Sequence, residues 1–119
     1  MYMAGSVLVV DDDPVFLSLA RRILEGAGVH VTGTAATVAE GLAVARELEP
    51  VAVLVDVELP DGSGIDLARE LVALPWSPRV VLTSTDRDAV AGPQRDGLPP
   101  FVPKEELPNA PLRRLLLDD

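Results

Sequence analysis

The stretch VLVVDDDPVF, residues 7–16, joins an uninterrupted apolar run to three consecutive carboxylates and then a proline. A run of β-branched residues without polar alternation is typical of a strand that is buried on both faces of a sheet. Acidic residues are favoured just before a helix, and proline is tolerated in its first turn. We therefore predict a central strand over residues 6–10 and a helix from Pro14 to Ala27.

The alternation of strand and helix continues along the chain, which favours a doubly wound α/β fold with a parallel sheet covered by helices on both faces. Further helices are predicted over residues 37–48, where Thr37 and Glu40 form a capping box, over 65–74 and over 110–117. The segment from 85 to 100 is broken by glycine and proline, so its helix should be degenerate, with at most one or two turns. Further strands are predicted at HVTG (30–33), AVLVD (52–56), RVVLTS (79–84) and PFVPK (100–104).

Composition narrows the possible functions. The net charge of −9 argues against direct nucleic-acid binding and favours proteins and cations as partners. There is no cysteine for a disulfide or a thiolate metal site, and the only histidine, His30, lies in a predicted strand, where a structural role is expected. Without a leader sequence or a long apolar run, we expect one cytoplasmic domain over residues 1–119, with no output domain and no membrane contact.

The predicted strand ends carry the polar residues that could form a site. Asp11 and Asp12 follow the first strand, Asp56 ends the third, Thr83 and Ser84 end the fourth, and Lys104 ends the fifth. In a doubly wound sheet these ends border one crevice. Two carboxylates about 4 Å apart repel each other by about 4 kcal/mol at an effective dielectric constant near 20, so the group requires a cation. Oxygen ligands alone favour Mg²⁺, and such a site suits a phosphoryl group.

Four motifs in this order resemble the receiver domain of bacterial two-component response regulators, the CheY-like family: VLVVDDDP (7–14), VLVDVELPDGSG (53–64), VVLTS (80–84) and FVPK (101–104). The resemblance covers almost the whole chain. It implies a flavodoxin-like sheet with strand order 2-1-3-4-5. It also implies that Asp56 accepts a phosphoryl group, in a Mg²⁺-dependent reaction, from a sensor histidine kinase or a histidine phosphotransfer protein.

The resemblance also implies roles for individual residues. Mg²⁺ would be held by Asp11, Asp12, Asp56 and the backbone carbonyl of Glu58. Lys104 would pair with the phosphoryl oxygens, Thr83 and Phe101 would form the conformational switch, and Glu58 and Thr85 would tune the phosphoryl lifetime. Ser84 is the alternative to Thr83 if the register differs by one residue. Asp13 is left for a structural role at the entrance of the first helix.

The motif around Lys104 departs from the family pattern, because Pro103 precedes the lysine and Glu105 follows it. The expected function is that of a stand-alone regulator rather than an enzyme, acting on an unknown downstream protein, with homodimerisation on phosphorylation possible. Two alternatives stay open. One is a pseudo-receiver that binds proteins without being phosphorylated. The other is an aspartate-nucleophile phosphatase, which would use Asp11-Asp12-Asp13 and a second acidic pair such as Asp118-Asp119.

Overall fold

The computed structural model describes residues 6–90 and 97–117. Its main sheet has five parallel strands: β1 (Ser6–Val10), β2 (His30–Ala35), β3 (Ala52–Asp56), β6 (Arg79–Ser84) and β7 (Phe101–Pro103). A small antiparallel pair, β4 (Glu58–Leu59) and β5 (Gly62–Ser63), follows β3. The helices are α1 (Pro14–Gly26), α2 (Val38–Leu48), α3 (Gly64–Val72), a 3₁₀ helix (Lys104–Asn109) and α4 (Leu112–Leu116).

The order of the five main strands is β2-β1-β3-β6-β7. Without the two-residue strands β4 and β5 this is the order 2-1-3-4-5, so the predicted doubly wound sheet is confirmed. The order reverses between β1 and β3, where the crevice at the carboxyl ends of the strands is expected.

The sheet separates two apolar cores, because successive side chains of a strand point to opposite faces. Val7 and Val9 of β1 belong to the core that includes α1 and α4, whereas Leu8 and Val10 belong to the core that includes α2 and α3. All five residues of β1 and of β3 are buried. This explains why their sequences are apolar without alternation.

Helix starts follow the capping residues in the sequence. Asp13 is the N-cap of α1, and its carboxylate accepts a hydrogen bond from the Val15 N–H at 2.9 Å, so the predicted structural role of Asp13 is confirmed. Thr37 caps α2 by accepting from the Glu40 N–H. The Glu40 carboxylate accepts from the Ala36 N–H, one residue before the donor that a standard capping box uses.

Several predicted boundaries shift. The second strand continues two residues beyond 33 to Ala35, since it pairs with β1 through Val10. The fifth strand is shorter than 100–104, and Lys104 starts the 3₁₀ helix instead of ending the strand. No helix lies in 85–90 or 97–100, and residues 91–96 of the predicted degenerate helix fall outside the described residues. Among the described helices, none is long and apolar enough to cross a membrane.

Candidate functional site

Three carboxylates meet at the carboxyl ends of β1 and β3. Asp11 is fully buried, and its Oδ1 accepts a hydrogen bond from the Asp13 N–H at 2.8 Å. Asp56 is also buried, and its Oδ1 accepts from the Glu58 N–H at 2.9 Å. Asp12 is exposed. Each of Asp11, Asp12 and Asp56 offers a carboxylate oxygen within 4.8 Å of the other two, so the three could hold one metal ion.

Lys104, the first residue after β7, brings a positive charge to the same place. Its Nζ lies 2.7 Å from Asp11 Oδ2 and 3.0 Å from Asp56 Oδ2, and its side chain is only 14% exposed. The same ammonium lies over the ring of Phe16, 4.1 Å from the ring centroid. The first turn of the 3₁₀ helix therefore aims Lys104 into the carboxylate group although Glu105, not proline, follows it.

The electrostatics of the site leave negative charge to be neutralised. Burial raises the pKa of Asp11, and the contacts with Lys104 and the Asp13 N–H oppose that effect only in part. Burial works against the charge of Lys104, but its hydrogen bonds and ion pairs with Asp11 and Asp56 outweigh it and raise the pKa of the lysine. One ammonium among three carboxylates fits a site that also takes a divalent cation, and its oxygen donors are those that Mg²⁺ prefers.

Thr83 lies beside Asp56 on the neighbouring strand, where the two residues are partners in the register of β3 and β6. Its Oγ1 is buried and has no hydrogen-bond partner in the part of the chain that the structure describes. A buried hydroxyl without a partner is uncommon and requires an explanation. The Ser84 hydroxyl, by contrast, accepts from the Asp86 N–H at 3.0 Å, which favours Thr83 over Ser84 as the hydroxyl available to a ligand.

The other sequence-predicted residues lie around this centre. Phe101 is half-buried in β7 and packs against the core on the α2 and α3 face of the sheet. Glu58 and Thr85 are exposed. The backbone N–H of Glu58 is the group seen to bind Asp56, and metal binding by its carbonyl stays a prediction.

Three residues without a predicted role, Asp61, Gly64 and Arg87, shape the site from outside. Asp61 binds the start of α2, and Gly64 allows α3 to approach β3 closely. Arg87 forms ion pairs with Glu105 at 2.5 Å and Glu106 at 2.6 Å, which joins the loop after β6 to the 3₁₀ helix that begins with Lys104. Asp61 and Gly64 stand in a motif read only as a loop, and the chain position of Arg87 gave no signal of its partners.

Comparison with known proteins agrees with this geometry. The family model of the response regulator receiver domain matches residues 7–109, and this range includes every residue of the site described above. The chain belongs to the response regulator receiver domain family.

Curated relatives of this receiver are longer proteins. It is 40% identical over 115 residues to protein-glutamate methylesterase/protein-glutamine glutaminase 6 of Anaeromyxobacter dehalogenans, a match that covers 85% of this chain and 32% of that protein. It is 38% identical over 109 residues to the DNA-binding response regulator MtrA of Mycolicibacterium smegmatis, covering 87% of this chain and 47% of the relative. The receiver thus spans about a third to about half the length of these relatives.

Solved structures show the same fold. The CheY-like response regulator receiver domain protein from Methanospirillum hungatei matches with a TM-score of 0.76 at 25% identity, covering 94% of this chain and 90% of that one. The receiver domain of the PhyR response regulator from Erythrobacter litoralis matches with a TM-score of 0.80 at 19% identity, covering 94% and 89%. Asp118 and Asp119, the acidic pair considered for a phosphatase, lie outside the described residues.

Proposed function

We propose that this receiver accepts a phosphoryl group on Asp56 from a sensor histidine kinase or a histidine phosphotransfer protein, with Mg²⁺ as cofactor. The observation that carries the proposal is the position of the buried Thr83 hydroxyl beside Asp56. Thr83 Oγ1 is next to Asp56 in the sheet and lacks a hydrogen-bond partner among the described residues. A phosphoryl group on Asp56 would supply the missing acceptor.

The phosphoryl group passes directly from the donor to Asp56. A carboxylate oxygen of Asp56 forms a bond to phosphorus while the bond from phosphorus to the donor's histidine nitrogen breaks, and that nitrogen keeps the electron pair. Water later attacks the phosphorus, the bond from phosphorus to the Asp56 oxygen breaks, and inorganic phosphate leaves while the Asp56 carboxylate is restored. The receiver is thus a signalling domain whose Asp56 is phosphorylated and then regenerated, not an enzyme that turns over a separate substrate.

The chain's own residues prepare this reaction. Asp11, Asp12 and Asp56 would hold Mg²⁺, joined by the Glu58 carbonyl as the family resemblance implies. When bound, the ion neutralises charge on the transferring oxygens. Lys104, whose Nζ lies 3.0 Å from Asp56 Oδ2, would form an ion pair with the phosphoryl oxygens after the transfer. The Glu58 N–H fixes the orientation of the Asp56 carboxylate by binding its Oδ1.

The signal would be a shift between two conformations, since the phosphoryl group stabilises only the state in which the Thr83 hydroxyl reaches it. Phe101 is the proposed second member of the switch. A downstream protein would read the new surface, and phosphorylation-dependent homodimerisation is a further prediction of the family resemblance.

The test is intact-mass analysis after incubation with acetyl phosphate and Mg²⁺. We expect one phosphoryl adduct on the wild-type chain, none on Asp56→Asn, and none when the metal is chelated. The matched control is Asp66→Asn, which removes an exposed aspartate of α3 and should keep the adduct. A wild-type chain that takes up no phosphoryl group from acetyl phosphate or a phosphoramidate would favour the pseudo-receiver. Turnover of phosphate monoesters would favour the phosphatase.

The lifetime of the adduct tests the tuning positions. Glu58 is exposed and its amide binds the phosphoacceptor, so a side-chain change there alters the rim at which water approaches Asp56. We expect Glu58→Ala and Thr85→Ala to change the rate of adduct decay, followed by mass spectrometry after removal of the donor. Decay rates equal to the wild-type rate in both variants would reject this role.

A further inference from the structure

Lys104 contacts two carboxylates and one uncharged side chain, that of Phe16. Phe16 is 7% exposed and lies in the first turn of α1, three residues after the Asp13 cap. The ammonium of Lys104 is placed over the face of the Phe16 ring, 4.1 Å from the centroid. The face of an aromatic ring carries negative potential, and a partly desolvated ammonium at this distance is attracted to it.

A bound metal ion would affect the contacts of Lys104 with Asp11, Asp56 and Phe16 differently. Asp11 and Asp56, at 2.7 Å and 3.0 Å from Nζ, are also two of the three carboxylates that could bind a metal. A dication bound to them would weaken their attraction for the ammonium and would itself repel it. The attraction between the Phe16 ring and the ammonium does not depend on the charge of the carboxylates. It therefore persists when the attraction between the carboxylates and the ammonium is weakened.

We infer that Phe16 is a positioning residue, which keeps the Lys104 ammonium beside Asp56 when a divalent cation occupies Asp11, Asp12 and Asp56. This inference rests on the proposed function, because the ammonium is needed there only if a phosphoryl group arrives at Asp56. Without the ring, Lys104 can move away from the cation toward solvent, and fewer molecules hold the ammonium ready for the phosphoryl oxygens.

The first test measures the rate of phosphorylation by acetyl phosphate at saturating Mg²⁺. Phe16→Leu keeps an apolar side chain but removes the ring, and we expect the rate to fall about two- to fivefold. Pentafluorophenylalanine at position 16 keeps the shape and reverses the charge distribution of the ring. A similar fall is expected, whereas a role in packing alone predicts the wild-type rate.

Leu24→Val is the matched control, since it perturbs the buried face of the same helix and Leu24 has no part in the site. It should leave the rate unchanged. A wild-type rate with pentafluorophenylalanine, or an equal fall in Leu24→Val, would overturn the inference.

The second test does not require phosphorylation. A double-mutant cycle with Phe16→Leu and Lys104→Met, read by urea unfolding, isolates the contact between the two side chains. We expect Phe16→Leu to lower the folding equilibrium constant about two- to fivefold more in the wild-type chain than in the Lys104→Met chain. This difference should be seen both with a metal chelator and in saturating Mg²⁺. Additive effects in Mg²⁺ would overturn the inference even if Asp56 is phosphorylated. A chain that shows this coupling but takes no phosphoryl group would refute the proposed function alone.

Discussion

Gly64 permits a contact between backbones that shapes the phosphoacceptor strand. A Cβ at this position would lie 1.9 Å from the carbonyl oxygen of Asp56 and 2.9 Å from the Cα of Val57. Both obstacles are backbone atoms, which cannot move aside as a flexible side chain can. The close approach also lets the Gly64 N–H donate to the Val57 carbonyl at 2.7 Å, so the start of α3 is fixed against the end of β3.

We therefore expect Gly64→Ala to destabilise the fold by about 3 kcal/mol or more, at the upper end of what overpacking costs. Urea unfolding measures this change. Gly26→Ala is the control, because a Cβ there meets no atom within 4 Å and alanine is the better helix former. Equal free energies of unfolding for Gly64→Ala and the wild type would show that the contact with β3 can open without cost.

Thr83 combines a stability cost with the proposed switch. The buried Thr83 hydroxyl has no partner within residues 6–90 and 97–117, which destabilises the unphosphorylated state, and valine has nearly the same shape without the polar group. We expect Thr83→Val to raise the free energy of unfolding by about 1 kcal/mol, and to reduce the spectral changes that phosphorylation causes in NMR. Thr83→Ser keeps the hydroxyl and should retain those changes. A Thr83→Val chain less stable than the wild type would indicate a hydrogen bond to water at this position.

At the scale of elements, Asp61 connects the loop after β3 to α2. Its Oδ1 accepts from the Val38 N–H at 2.7 Å and its Oδ2 from the Ala39 N–H at 3.1 Å. These are the first two N–H groups of the helix, which have no partner within the helix. The carboxylate also lies at the positive end of the helix dipole. One side chain thus holds the β4–β5 segment, which begins with Glu58, against α2.

This contact makes stability depend on pH in the acid range. The Val38 and Ala39 N–H groups hold the pKa of Asp61 below its usual value. A carboxyl whose pKa is lowered by folding stabilises the folded state above its unfolded pKa of about 3.9, and this effect is lost as the pH falls through the folded pKa. We expect Asp61→Asn to be less stable than the wild type at pH 7, with a difference that shrinks toward pH 3. Urea unfolding across this range is the measurement.

Asp88→Asn, which removes an exposed aspartate of the 85–90 loop, is the matched control. A stability difference between Asp61→Asn and the wild type that does not change with pH would contradict this role of Asp61.

The elements were predictable to the extent that they depend on local pattern. The apolar runs of β1 and β3 and the caps Asp13 and Thr37 led to strands and helix starts at the right places, because burial and capping act over a few residues. The pair β4 and β5 was not predicted, since Pro60, Asp61 and Gly62 indicate a turn whatever the flanking residues do. The change from strand to 3₁₀ helix at Lys104 also escaped sequence patterns, because β7 ends where its pairing with Ser84 ends.

At the scale of the whole molecule, metal binding should stabilise the fold. A ligand that binds only the folded state adds about 2.7 kcal/mol at a concentration of 100 times its Kd, which for a chain of this size raises the Tm by roughly 10 °C. We expect Mg²⁺ to produce such a rise in calorimetry and Asp12→Asn to diminish it, because Asp12 is exposed and its loss leaves the core intact. NaCl at the same ionic strength controls for screening of the net charge of −9. A Tm that rises equally with NaCl and MgCl₂ would exclude specific binding.

The convergence of Asp11, Asp12, Asp56 and Lys104 could be predicted because parallel strands end at one edge of the sheet, so the order of the motifs fixes which residues meet. The contact of Phe16 with Lys104 could not. Phe16 fits the apolar stripe of α1 equally well as an ordinary core residue, and only the path of the lysine side chain decides that its ring faces a charge. The same holds for Arg87, whose partners Glu105 and Glu106 depend on the shape of two loops.

Trp76 gives the molecule an optical probe at the end opposite to its chemistry. It is the only tryptophan, and its Nε1 donates to the carbonyl of Pro50, just before β3, whereas Asp56 ends that strand. Excitation of the indole therefore samples the amino ends of the strands. Its emission is a suitable signal for the unfolding of every variant above, and the occupancy of Asp56 is better followed by mass or NMR. Stability and phosphorylation can thus be measured on the same unlabelled chain by signals that do not interfere.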